Sequence, residues 1–166
     1  MSPHRLHAAC VAAEGPDGPC AALILGPSGA GKSALALEMI ARGGVLVADD
    51  QVALRVEGGR LLAAAPPALQ GLVEARGIGL LRLPFAPEAP VALVADLRRA
   101  EPHRLPPRRR VRLCGVALPR LLAAGFAARP GAAAALIALL RAGGARHAPR
   151  DMPDEAPDFG PRDVFR

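Results

Sequence analysis

The first third of the chain alternates short apolar runs with breaks of Gly, Pro and Asp. Residues 6–13 and 20–25 are apolar runs separated by EGPDGP, whose Gly and Pro residues predict a turn and hence a β-hairpin. The glycine-rich octapeptide GPSGAGKS follows directly. Residues 33–42 carry apolar side chains at helical spacing and predict a helix, which Gly43-Gly44 can end in a left-handed conformation.

The next segments predict further strands. VLVADD, residues 45–50, predicts a buried strand that ends in two carboxylates and completes a strand, loop, helix and strand order typical of a βαβ unit. Residues 52–65 predict a hairpin that turns at Glu57-Gly58-Gly59, because Gly-Gly is a common two-residue hairpin loop. LVEARGIGLLRL, residues 72–83, predicts a strand interrupted by glycines.

The second half is less regular. Residues 91–97 (VALVADL) predict another buried strand, and a helix is expected after the ARPG segment, through Arg141. PRLLAAGFA, residues 119–127, is compatible with either a strand or a helix. The 166 residues fit one domain, which we expect to span residues 1–142. Residues 143–166 are rich in Gly, Pro and charge and are expected to be disordered or docked on a partner.

Composition makes two residue types conspicuous. Among the 21 basic residues Lys32 is the one lysine, and Thr and Tyr are absent, so that Ser2, Ser28 and Ser33 carry the hydroxyls. Lys32, Ser28 and Ser33 all lie in the glycine-rich octapeptide. A coding bias toward Ala, Arg, Gly and Pro explains most of the composition. The few Lys and Ser residues that are present despite this bias are therefore informative about where a functional site lies.

Charge and cysteine content exclude several classes of protein. The net charge is +6, but four Phe as the only aromatics offer little stacking surface, so nucleic acid is not the expected partner. Three cysteines without a C-x-x-C pair argue against a disulfide framework or zinc site. No signal peptide or run of membrane-spanning length is evident, so we expect a cytoplasmic protein without a membrane partner.

The octapeptide matches the phosphate-binding pattern G-x-x-x-x-G-K-[ST] in full, between a predicted strand and a predicted helix. Its eight residues are the expected nucleotide site: Gly26, Pro27, Ser28, Gly29, Ala30, Gly31, Lys32 and Ser33. Backbone N–H groups of such a loop converge on phosphates, Lys32 reaches the outer phosphates, and the Ser33 hydroxyl ligates Mg²⁺. A purine nucleoside triphosphate with Mg²⁺ is therefore the expected ligand.

Phosphoryl transfer also needs carboxylates, and three places offer them. Asp49-Asp50 and Asp96 each follow an apolar run, as does the metal-binding Asp of a Walker B strand in nucleotide-binding proteins. The adjacent pair favours a site beside a cation, because two neighbouring carboxylates repel each other, whereas Asp96 alone is more typical of a solvated strand end. Glu74 is the third candidate, and on a strand it would share a face with Arg76.

Three segments in order resemble the catalytic domain of HPr kinase/phosphorylase: residues 26–52, EARGIGLL and ARPG. That family phosphorylates a serine of HPr, the small phosphocarrier of the sugar phosphotransferase system, and dephosphorylates it by phosphorolysis to pyrophosphate. The resemblance covers about residues 6–141. It implies an α/β P-loop kinase domain of the HPr kinase/PEP carboxykinase-like type, with a mixed sheet and flanking helices, in a short single-domain form.

The resemblance also implies roles for single residues. Lys32 would bind phosphate, Ser33 and Glu74 would hold Mg²⁺ with support from Asp50, and Asp49 would accept the seryl proton. His7 resembles the family histidine that tunes this aspartate, once an insertion around residues 14–19 is allowed. Arg76 would orient phosphate.

Two arginines of the second half are assigned in the same way. Arg104 resembles a catalytic arginine of the family, and Arg129 lies in the segment linked with phosphorolysis. The basic cluster at residues 108–112 is either a solvated edge or a contact for an acidic protein or phosphate. The implied cofactors are ATP and Mg²⁺, the implied partner is an HPr-like protein, and the implied assembly is a homo-hexamer.

Two other functions remain compatible with the motifs. A P-loop kinase of small molecules would need a lid with catalytic arginines, for which residues 104–112 could serve. A nucleotide-sensing module without turnover would use the same loop to bind ATP and regulate a partner.

Overall fold

A computed structural model of the chain describes residues 4–144. The strands are β1 (His4–Gly15), β2 (Gly18–Leu25), β3 (Val45–Ala48), β4 (Gln51–Glu57), β5 (Arg60–Ala64), β6 (Leu72–Ala75), β7 (Gly79–Arg82), β8 (Ala89–Asp96), β9 (Arg109–Leu113) and β10 (Val116–Leu122). The helices are α1 (Lys32–Ala41) and α2 (Ala132–Arg141), with short 3₁₀ turns at Pro67–Leu69 and Phe126–Ala128. In this part of the chain neither helix is long and apolar enough to cross a membrane.

The main sheet is mixed and closes on itself, which the sequence pattern did not indicate. Its strand order is β2-β1-β4-β5-β8-β10-β9, and β2 also pairs with β8, so that five strands form a barrel-like ring. The β2–β8 and β8–β10 pairs are parallel and the other pairs of this sheet are antiparallel. Both faces of β1, β2 and β8 are covered, one by the interior of the ring and the other by the helices, and this explains their unbroken apolar runs.

Two apolar clusters hold the fold together, and alternate residues of the central strands contribute to each. Leu23 and Leu25 of β2 point into a cluster with residues of β4 and β5, inside the ring. Ile24 points to the opposite face, into a second cluster with Leu35 of α1 and Leu136 of α2. Both helices thus cover the same face of the sheet.

Most predicted elements are present, and the main differences concern the middle of the chain. Residues 72–83 form not one strand but a hairpin, β6–β7, as a separate two-stranded sheet. Residues 119–127, which were ambiguous, form the end of β10 and then a 3₁₀ turn. The βαβ unit is present in split form: β2 and β3 flank β1, which is antiparallel to both. Residues 145–166 of the predicted tail lie outside the described residues.

Candidate active site

The glycine-rich loop connects the carboxyl end of β2 to α1, as the motif predicts. Gly31 caps α1 in a left-handed conformation with φ of 94°, and a Cβ added there would lie 2.5 Å from the Cβ of Ala127. Any other residue at Gly31 would combine backbone strain with a steric clash. Glycine at this position therefore sets the path of the loop into the helix.

Lys32 folds back along the loop that it follows. Its side chain donates hydrogen bonds to the carbonyl oxygens of Gly26 at 2.8 Å and Pro27 at 3.0 Å, and only 7% of the residue is exposed. Burial lowers the pKa of Lys32, and the charges of Asp49 and Asp50 oppose that shift. The carboxylates thus help to keep the ammonium group charged inside the pocket.

Asp49 connects three elements at the base of the pocket. The Ser33 hydroxyl donates to the two Asp49 carboxylate oxygens at 2.8 and 3.0 Å, and the backbone N–H of Glu74 donates to Oδ2 at 3.3 Å. Only 3% of Asp49 is exposed, and this burial raises its pKa while the donated hydrogen bonds oppose the rise. Asp49 therefore joins α1, β3 and β6 and orients the Ser33 hydroxyl.

Asp50 lies next to Asp49 in sequence but in a different environment. Its φ of 67° belongs to the left-handed region that Asp tolerates better than most residues, and this kink turns the chain from β3 into β4. The kink leaves 60% of the Asp50 side chain exposed in the pocket. Of the two carboxylates, only that of Asp50 is accessible to a large substrate.

His7 contacts Asp50, the neighbour of Asp49 in sequence, and its expected tuning of Asp49 stays a prediction. Its Nδ1 lies 2.9 Å from the Asp50 carbonyl oxygen and 3.2 Å from Oδ1 of the same residue. Because a carbonyl oxygen can only accept, Nδ1 carries the hydrogen in this contact. Residue 7 on β1 pairs with residue 51 on β4, which places the ring beside Asp50.

A cavity of about 420 Å³ brings most of the predicted site residues together. It is lined by Ser28, Gly29, Gly31, Lys32 and Ser33 of the loop and by His7, Asp49, Asp50, Glu74 and Arg76. Gly26 and Pro27 border it through their contacts with Lys32, and the Ala30 N–H donates to the Pro27 carbonyl oxygen at 3.1 Å. The β6–β7 hairpin thus adds its Glu and Arg to the phosphate-binding loop.

Arg104 and Arg129, both predicted for the site, do not line this cavity. They line a separate groove together with Arg120 and Phe126, and the Arg129 guanidinium lies 5.4 Å from the centre of the Phe126 ring. Within the described part of one chain, the two arginines are therefore grouped with each other and not with the loop. Their catalytic and phosphate-contact roles stay predictions.

Asp96 is not the solvated strand end that its position suggested. It is fully buried, and its carboxylate accepts hydrogen bonds from Arg98 at 2.8 Å and from Arg120 at 2.7 Å. Arg120 comes from β10, a parallel neighbour of β8, and no local pattern links the two residues. Two guanidinium groups neutralise Asp96, which leaves Asp49 and Asp50 as the strand-end acids of the pocket.

The described residues hold no cluster of three or more His, Cys, Asp or Glu side chains arranged for a metal ion. Mg²⁺ does not need such a cluster, because beside a nucleotide it uses one or two protein oxygens, phosphate oxygens and water. The Ser33 hydroxyl and the Asp50 and Glu74 carboxylates are hard oxygen donors at one cavity, a donor set that fits Mg²⁺.

Comparison with known proteins agrees with these motifs. Residues 4–85 match the family model described as HPr Serine kinase C-terminal domain. HPr kinase/phosphorylase of Geobacillus thermodenitrificans is 35% identical over 128 residues, which is 69% of this chain and 40% of that protein. The Brevibacillus brevis protein of the same name is 41% identical over 91 residues, or 50% of this chain and 29% of the relative.

Among solved structures, the Hpr(Ser) kinase/phosphatase from Coxiella burnetii is similar in fold. Its TM-score is 0.67 at 24% identity, with 82% of this chain and 87% of that chain covered. The chain spans well under half the length of the curated relatives described above. The match to the HPr Serine kinase C-terminal domain model covers just under half of the chain and includes both the P-loop and the EARGIG motif, which carry the resemblance.

Proposed function

We propose that the chain is an ATP-dependent protein serine kinase that phosphorylates an HPr-like phosphocarrier. One observation carries the proposal: a single cavity combines the phosphate-binding loop, the Asp49-Asp50 pair and the Glu74 of the EARGIG motif. The names of the relatives support HPr as the acceptor. ATP as donor and a cytoplasmic homo-oligomer, a hexamer as in the family, belong to the same proposal.

The loop and its neighbours bind the nucleotide in this proposal. Lys32 leaves its contacts with the loop carbonyls to reach the outer phosphates, since its flexible stem allows the ammonium group to swing. Ser33 and Glu74 would hold Mg²⁺, with Asp49 positioning the Ser33 hydroxyl, and the Asp50 carboxylate would face the acceptor. When bound, Mg²⁺ neutralises negative charge on the phosphate oxygens. Arg76 orients the phosphate that is transferred.

Accessibility favours Asp50 as the group that accepts the seryl proton. The Asp49 carboxylate is occupied by Ser33 and by a backbone N–H and is 3% exposed, whereas 60% of the Asp50 side chain is exposed and His7 stabilises its position. A serine on a folded protein can approach an exposed carboxylate more easily than a buried one. In phosphorolysis the same carboxyl group, protonated, returns the proton to the leaving serine while inorganic phosphate attacks.

The test is phosphorylation of purified HPr by the full chain with ATP and Mg²⁺. We expect phosphoserine on HPr, detected by mass spectrometry, and its reversal with release of pyrophosphate when phosphate is added in excess. Lys32→Ala should abolish transfer because the phosphates lose their cation. Arg60→Ala, which removes an exposed cation at the β4–β5 turn, is the matched control and should retain activity.

The same assay separates the proposal from its competitors. Folded wild-type chain that leaves HPr unmodified contradicts the proposal. Label from the γ-phosphate that appears on small metabolites would indicate a small-molecule kinase, and tight ATP binding without any transfer would indicate a sensing module.

A further inference from the structure

The tip of the β6–β7 hairpin, residues 76–80, presents large apolar side chains to solvent. Ile78 is 80% exposed and Leu80 is 66% exposed, the two being among the most exposed large apolar residues of residues 4–144. A Cβ added to Gly77 or Gly79 would meet nothing within 4 Å, so this tip packs against no other described residue there. Water therefore surrounds two side chains that prefer to be buried.

The base of the same hairpin is firmly anchored next to the reacting groups. Val73 is fully buried, Ala75 is nearly so, and the Glu74 N–H donates to the Asp49 carboxylate. Ile78 lines the cavity that also contains Lys32. An isolated two-stranded hairpin is marginally stable in water, but this anchor fixes its base, which keeps the tip beside the cavity.

A nucleotide alone does not account for this exposure. Leu80 pairs directly with Glu74, so both side chains leave the same face of the hairpin, yet Leu80 does not line the cavity. Its exposed apolar surface therefore lies outside the cavity that holds the phosphate-binding loop. Arg76 and Arg82 lie exposed beside it and add positive charge.

We propose that Ile78 and Leu80 form a docking surface for the protein acceptor, and this inference rests on the proposed function. Asp50 and Ile78 line the same cavity, so a protein whose serine reaches Asp50 brings its surface next to the hairpin tip. The complementary surface is an apolar patch next to the acceptor serine, bordered by carboxylates that pair with Arg82. The tip thereby selects a folded protein over a free small hydroxyl compound.

The test compares the double variant Ile78→Ser/Leu80→Ser with Val56→Ser. Val56 is 47% exposed on β4, outside the cavity, and serves as the matched control for loss of an exposed apolar side chain. We expect KM for HPr to rise about tenfold to a hundredfold in the double variant, from the apolar area that a partner would bury. KM for ATP should stay within about twofold, and the conservative Ile78→Leu should retain wild-type KM.

Each other outcome overturns the docking surface. Unchanged KM for HPr would show that the tip touches no acceptor, and an equal rise in KM for ATP would show that it closes over nucleotide. A change in the mass of the assembly, measured by light scattering, would make the tip a contact between copies. If the wild type phosphorylates no HPr, the proposed function fails, and titration calorimetry with HPr tests the docking surface separately. Weaker binding of HPr to the double variant than to the wild type supports the docking surface. No binding of HPr to the wild type overturns it.

Discussion

Asp96 offers a quantitative test of how far burial strengthens an ion pair in this fold. Its Oδ1 accepts from Arg98 at 2.8 Å and its Oδ2 from Arg120 at 2.7 Å, with Asp96 fully buried and Arg120 6% exposed. Asp96→Asn keeps the size of the side chain but removes the carboxylate charge that faces the buried Arg120 guanidinium. Removing one partner of a buried pair costs about 3–5 kcal/mol, which for a chain of this length lowers Tm by roughly 10 °C.

The matched control is Glu88→Gln, the same chemical change in an exposed pair. Glu88 accepts from Arg55 at 2.8 and 3.0 Å, a geometry close to that of Asp96, but 46% of each side chain is exposed. Exposed pairs contribute about 0–1 kcal/mol, so this variant should unfold close to the wild type. The assay is urea unfolding followed by circular dichroism. Equal losses in the two variants would refute the reasoning, because burial would then make no difference.

The pH dependence of the Asp96→Asn effect has a definite sign. Burial by itself would raise the pKa of Asp96, but hydrogen bonds and charge from Arg98 and Arg120 outweigh it and hold the pKa below its ordinary value of 3.8. A carboxyl group with a lowered folded pKa stabilises the fold above its unfolded pKa and loses this contribution as pH falls through the folded value. The stability difference between wild type and variant should therefore be constant from neutral pH to about pH 5 and should shrink in acid below pH 3.8.

Three further predictions concern the pocket and the core. Asp50→Asn should lower kcat for phosphorylation of HPr while ATP affinity is retained. Asp49→Asn should instead raise the Mg²⁺ concentration that gives half-maximal phosphorylation. The reverse pattern would make Asp49 the base. Gly31→Ala should weaken ATP binding and destabilise the fold by about 1–3 kcal/mol, because φ there is 94° and the Ala127 methyl lies 2.5 Å from the new Cβ. An unfolding curve equal to that of the wild type would contradict this. Burial raises the pKa of Cys10 to about 12, so its thiol should resist labelling at pH 8 until urea unfolds the chain; labelling in the native state as fast as that of the part-exposed Cys20 would refute its burial.

Local patterns along the chain predict most of the secondary-structure elements and the class of chemistry. Turn residues and hydrophobic spacing act over a few neighbouring positions. They therefore predicted the β1–β2 hairpin, α1, the β4–β5 turn and α2. The phosphate-binding loop was predicted for the same reason, since its glycines and Lys32 lie within one stretch of eight residues. Glu74 and Arg76 were recognised through their motif, although the hairpin that carries them was predicted as one strand.

The tertiary structure alone decided which distant residues meet. Three features join positions that are far apart in the chain: closure of the sheet through the β2–β8 pair, the contact of His7 with Asp50, and the neutralisation of Asp96 by Arg120. Strand pairing and burial select these contacts, and a local pattern carries no information about which partner a strand edge will find. For the same reason Arg104, whose motif pointed to the active site, lies in a separate groove of the folded chain.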